Sequence, residues 1–98
     1  MQTHIARERI RFLEDGIVFP LTIAGAQGAY ATWFRVDDGD LREYFGFSAE
    51  TDIRQHFARI IPVLERAARM AGQAGKAETG FTMNDAIFVD IEELKAAA

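Results

Sequence analysis

Residues 52–71 read DIRQHFARIIPVLERAARMA, and whether this stretch is a chemical tool or the lid of a core decides how the whole chain is read. Apolar side chains recur at Ile53, Phe57, Ile60, Ile61, Leu64, Ala67, Ala68 and Ala71, the three-and-four spacing of a helix with one buried stripe. Ser48 or Thr51 can cap its start, and Glu50 and Asp52 sit where the positive end of a helix favours acid. Pro62 removes one backbone hydrogen bond, but the apolar spacing continues to Ala71, so the sequence predicts a bend rather than an end. Such a stripe needs a surface to cover, and the preceding residues supply one.

Residues 8–13, ERIRFL, alternate charged and apolar side chains, with Ile10 and Phe12 on one face and Arg9 and Arg11 on the other, as in a half-exposed strand. Turn residues EDG at 14–16 lead into IVFPLTI at 17–23, with Phe19, Leu21 and Ile23 on a common face. Pro20 lacks a ladder donor, which predicts an edge or a bulge at that point. AGAQG at 24–28 turns the chain into AYATWFRV at 29–36, a third β-rich run. Asp40 is placed to cap a short helix, LREYFG, that Gly46 ends with Leu41, Tyr44 and Phe45 on one face. Beyond the main helix, residues 72–80 are small, polar and glycine-rich, the composition of a flexible loop. FTM at 81–83 reads as a last short strand. Asn84 or Asp85 then caps a helix whose face is Ile87, Phe88, Ile91 and Leu94, although Ile, Phe and Val at 87–89 also suit a strand.

The reading that results is an α+β fold: an antiparallel β-meander of three to four strands with one long helix packed on one face, plus short helices. A chain of 98 residues has room for one such domain. Within it residues 1–7 are expected to fray, 72–80 to form a loop and 84–98 to be a helical extension. The composition is that of a globular protein, 49% hydrophobic and 11% aromatic. No cysteine is present, which excludes thiolate chemistry and disulfides and fits a reducing compartment. The longest apolar run, GIVFPLTIAGA, falls well short of the roughly 20 residues of a membrane span, and MQTHIARERIRF lacks a secretory core. A cytoplasmic location is therefore expected. With 15 acidic against 11 basic side chains the net charge is -4, so nucleic acid is disfavoured unless a local basic patch overrides it.

The order RIRF, GIVFPLTIAG, YATWFRV, DLREYFGF, IRQHFARIIPVLERAARM and GFTMND resembles a family of short bacterial proteins catalogued as domain of unknown function 1488. The elements that carry the likeness are Val18 and Phe19 in the strand pair, Phe45 and Gly46 closing the short helix, Phe57 in the main helix, and Phe81 to Asp85. It spans about residues 8 to 86, leaving the last helix as an extension. The resemblance implies the fold and a bacterial source. No activity, ligand or catalytic residue is established for that family, so it transfers no site.

Candidate chemistry is sparse. His56 borders the apolar stripe with Asp52 four residues before it, an ordinary helical ion pair and a weak basis for catalysis. His4 is too remote in sequence to share a metal-ligand spacing with it. Asp37, Asp38 and Asp40 lack the ligand continuation of a calcium loop, since Leu41 and Phe45 interrupt it. GAQG at 25–28 and GQAG at 72–75 lack the Lys-Ser or Lys-Thr of a phosphate loop. Tyr30, Trp33 and Arg35 on the third strand are the only hint of an aromatic, basic face of the kind that stacks bases. No catalytic residue, metal ligand or cofactor is assigned.

Two functions from different classes remain. The first is a non-enzymatic interaction module that forms a homo-oligomer, a dimer, or binds a protein partner through the second sheet face or the last helix. One helix covers only one face of a sheet, yet Val18, Trp33, Ile87, Phe88, Ile91 and Leu94 also call for cover. The second is a nucleic-acid-binding transcriptional regulator. Arg59 and Arg66 stand within about 20° of each other on the helix and Arg69 about 60° further round, a single basic flank.

Overall fold

The computed structural model describes residues 2–26, 28–73 and 82–97, with the backbone alone at 72 and 73. In chain order these form β1 (Gln2–His4), β2 (Arg11–Leu13), β3 (Gly16–Gly25), β4 (Gly28–Asp37), α1 (Asp38–Phe45), α2 (Phe57–Gln73), β5 (Ile87–Phe88) and α3 (Ile91–Ala97). Tight 3-10 turns occupy Arg7–Arg9, Ile53–His56 and Met83–Asp85. The fold is α+β, with a mixed, mostly antiparallel sheet and helices against one face.

The sheet is organised around the β3–β4 pair, in register from Gly16 opposite Asp37 to Gly25 opposite Gly28. Cross-strand partners share a face. Ile17, Phe19 and Leu21 thus point the same way as Val36 and Phe34, and these five enter one core with Leu41 of α1, Ile60, Leu64, Ala67 and Ala68 of α2, and Leu94 of α3. Val18 and Pro20, with Arg35 and Trp33 opposite them, point the other way. The turn into β3 needs glycine: a Cβ on Gly16 would stand 2.4 Å from the Val36 carbonyl oxygen.

Pro20 marks a break in the neighbouring strand. β2 pairs with residues 16–18 and β1 with residues 22–24, so the edge strand is interrupted opposite the proline, which has no N–H for a ladder bond. β3 itself is interior. Residues 6–10 arch over the gap; Ile5 and Ile10 at its feet are buried in the core. Within the segment expected to fray, Gln2–His4 pair with β3 as β1, and Thr3 Oγ1 donates to Glu65 Oε1 at 2.7 Å on α2. The strand expected over 8–13 shrinks to Arg11–Leu13, yet its alternation holds, for Phe12 pairs with Ile17 on the helix side and Arg11 with Val18 on the other.

The capping expectations need correction. α1 starts at Asp38, whose N–H donates to the Asp15 carbonyl at 2.8 Å and whose carboxylate pairs with Arg42, so Asp40 is not its cap. Gly46 ends it as expected, left-handed at φ 75°. Asp52, rather than Ser48 or Thr51, accepts the first free amide, that of Arg54 at 3.0 Å, and the chain passes through a 3-10 turn before α2. Pro62 is carried inside α2 without ending it. α2 runs on to Gln73, so two residues of the expected loop are helical, and 74–80 lie outside the described residues.

The C-terminal extension differs most. No helix runs from 85: Thr82 and Asp85 form a capping box around a 3-10 turn, and Phe81 of the expected strand lies outside the described residues. Ile87 and Phe88 form a parallel strand beside Phe34 and Arg35 of β4, and Val89 N–H donates to the Arg35 carbonyl at 2.8 Å. The alternation of buried Ile87, exposed Phe88 and buried Val89 has period two, and the open edge of β4 lets it prevail over the helical spacing. α3 begins after Asp90, whose Oδ1 accepts from Glu93 N–H at 2.9 Å, and packs on the alanine-rich end of α2. No helix among the described residues is long and apolar enough to cross a membrane.

Candidate functional site

Of the five residues that the sequence marks for interaction, two belong to the core: Ile87 and Leu94 are buried inside the monomer, and Ile91 is half-buried. Val18, which the sequence also marks as calling for cover, is buried too. Trp33, half-buried, and Phe88, 55% exposed, remain on the sheet face away from the helices. That face is the candidate site.

Register places its residues. Arg11, Val18, Arg35 and Phe88 form one row across β2, β3, β4 and β5, and Pro20 and Trp33 form the next. The Arg35 guanidinium lies 5.2 Å over the Phe88 ring, and Arg9, from the edge arch, lies 5.5 Å over Trp33. Long arginine stems lie readily over small apolar neighbours, which accounts for a face that buries Val18 and Pro20 without a second layer of structure. Arg35 Nη2 also donates to Asp15, while its buried Nε has no hydrogen-bond partner and stands 3.8 Å from Asp37 Oδ1. Arg11 Nη1 donates to the Glu8 carbonyl at 2.7 Å. Among the described residues no carboxylate pairs with Arg9 or Arg11. Tyr30 does not join this face; it pairs with Ile23 on the helix side of the sheet.

The three arginines of the alternative site are engaged within the fold. Arg59 lies over Phe45 and Phe47 at 5.5 and 5.6 Å, Arg66 Nε donates to the Ala97 carbonyl at 2.8 Å, and Arg69 Nη2 donates to Thr3 Oγ1 at 2.8 Å and Glu65 Oε1 at 3.2 Å. The last ties α2 to β1, a tertiary role that helical angle alone does not reveal. His56 stacks on Phe47, ring centroids 4.7 Å apart, and Asp52 is its turn's cap, not its ion-pair partner. Asp38 pairs with Arg42 and Asp37 faces Arg35. Among the described residues no group of three or more His, Asp or Glu is placed to hold a metal ion.

A concavity of about 270 Å³ opens where the β2–β3 turn meets α1, lined by Phe12, Leu13, Asp38, Arg42, Asp52 and Arg54 among others. Its charged groups serve the fold: Arg42 binds Asp38 and the carbonyls of Ser48 and Thr51, and Arg54 lies 4.7 Å over Phe12.

Arg9 and Arg11 are the functional candidates that the sequence reading passed over. Their signal was present in the alternation of ERIRFL, which puts both on the face opposite Ile10 and Phe12; missing was the knowledge that this face lies beside Trp33. No family model matches the chain, and no curated protein and no solved structure matches it either. The resemblance to domain of unknown function 1488 rests on the quoted residues alone.

Proposed function

We propose that the protein is a non-enzymatic protein-interaction module whose working surface is the outer face of the sheet. The observation that carries this reading is Phe88, more than half exposed beside half-buried Trp33 on the face that no helix covers. A large aromatic ring left open next to arginine is the composition of a binding hot spot. The cysteine-free composition supports work in the cytoplasm.

A partner protein fits the face better than a second copy. Two-fold pairing would set Arg9, Arg11 and Arg35 against their own images, a like-charge juxtaposition that costs affinity. The test is a photo-crosslinking phenylalanine analogue at position 88, compared with the same analogue at exposed position 92 on α3. A discrete adduct in producing cells from 88 and none from 92 is expected. Equal labelling, or none from 88, removes the reading.

A further inference from the structure

We infer that the partner presents an extended, carboxylate-rich protein segment, gripped by Arg9 and Arg11 and seated against Trp33 and Phe88. The inference rests on the reading of the outer face as a binding surface and names the chemistry of its occupant.

Charge is the first argument. Asp15 and Asp37 both face Arg35, whereas Arg9 and Arg11 are exposed and have no ion-pair partner among the described residues. The molecule as a whole carries -4. An acidic segment is therefore repelled by most of the surface and attracted here, which orients its approach.

The geometry of the arginines is the second. Arg9 stands over Trp33 and Arg35 over Phe88, so each ring already carries a cation on one face and offers a base only the other. A guanidinium lying against a ring still directs its N–H groups outward along its own edge, the fork that a carboxylate accepts. A carboxylate can meet the N–H edge of Arg9 directly, whereas a base has only the remaining face of each ring on which to stack. Length is the third: from β2 to β5 is three strand spacings, roughly 14 Å, which about four extended residues can cross.

Fluorescence anisotropy of labelled oligoglutamate, oligolysine and single-stranded oligo-dT, each at low and near-physiological salt, tests this on the full chain. Oligoglutamate should bind, weaken as salt rises, and lose about tenfold in affinity in Arg9→Ala/Arg11→Ala. The matched variant Arg59→Ala/Arg69→Ala, on the helix side, should change it less than about twofold, and Arg9→Lys/Arg11→Lys should restore only part of the loss, since lysine lacks the fork. Circular dichroism melts confirm that each variant folds. Oligo-dT bound more tightly than oligoglutamate and lost in the outer-face variant makes the face a nucleic-acid surface and overturns the inference. Equal loss in both arginine pairs, or no oligoglutamate binding, also overturns it. A crosslink at position 88 that survives such a failure leaves the interaction-module reading standing, whereas loss of both removes both.

Discussion

Neighbouring residues on the turn into α2 show how differently two aromatic side chains can be used. Phe57 is buried in the core, its ring stacked 5.9 Å from Phe12 and covered by the Arg7 guanidinium at 5.2 Å. His56, one residue earlier, is half-buried and lies against Phe47 at the surface. Phe57→Ala removes core packing and leaves Phe12 and Arg7 without their common support, a loss of about 3 kcal/mol or more. His56→Ala should cost under about 1 kcal/mol, as surface truncations usually do. Urea melts of the two variants decide it, and equal damage would mean that the histidine carries structure not visible in its contacts. This contrast was legible in the sequence, because the apolar spacing from Ile53 to Ala71 fixes which side of the helix is wet. The Glu65–Arg69 pair, four residues apart on the helix, was legible too, but the long-range arginine partners were not. Arg66 reaches a carbonyl 31 residues away and Arg69 a hydroxyl 66 residues away, contacts that exist only once the chain is folded.

At the level of elements, local pattern gave β2, β3, β4 and the long helix, missed β1, and went astray where two periods compete. Ile87, Phe88, Ile91 and Leu94 satisfy a helical face, and Ile87, Phe88 and Val89 satisfy a strand. What settles the choice is the unpaired edge of β4, a tertiary fact. The start of α3 was readable in principle, since Asp90 and Glu93 have the spacing of a capping box, and Glu93 Oε1 accepts from Asp90 N–H at 3.3 Å while Asp90 Oδ1 accepts from Glu93 N–H. α3 spans only seven residues and is too short to persist alone, so it stands by its docking on α2 through buried Leu94 and Ala97. Leu94→Ala should therefore lower stability by roughly 2 to 5 kcal/mol and uncover the alanine-rich end of α2. The measurement is a denaturant midpoint, with hydrogen exchange of α3 amides read alongside. An unchanged midpoint would show that α3 is an appendage and not part of the core.

For the whole molecule, the fold removes most of the reason for self-association that the sequence supplied. Val18, Ile87 and Leu94 seemed to need a partner's cover, and the single chain buries all three. It does so by two devices: a strand and helix at the C-terminal end that complete the core, and a layer of arginines that shelters the opposite face without another layer of chain. What stays exposed is scattered, with Phe12 and Leu13 near the β2–β3 turn, Tyr30 at the far end of β4, Met70 late in α2, Met83 in the 3-10 turn before β5, and Phe88 on the outer face. Phe12 lies under Arg54 and Phe88 under Arg35, but of the two only Phe88 is on the outer face, and the like charges around it oppose a two-fold dimer through that face. Size-exclusion chromatography with light scattering should accordingly return the 11.0 kDa monomer across the micromolar range. Raising the salt, which screens the arginines, should shift that mass only slightly. Self-association at low salt that is lost on Phe88→Ser would instead place a second copy on the outer face. Its arginines would then have to find the acidic side of the neighbouring molecule, and such a head-to-tail contact builds rings or open chains rather than two-fold pairs, so the mass would rise past two with concentration.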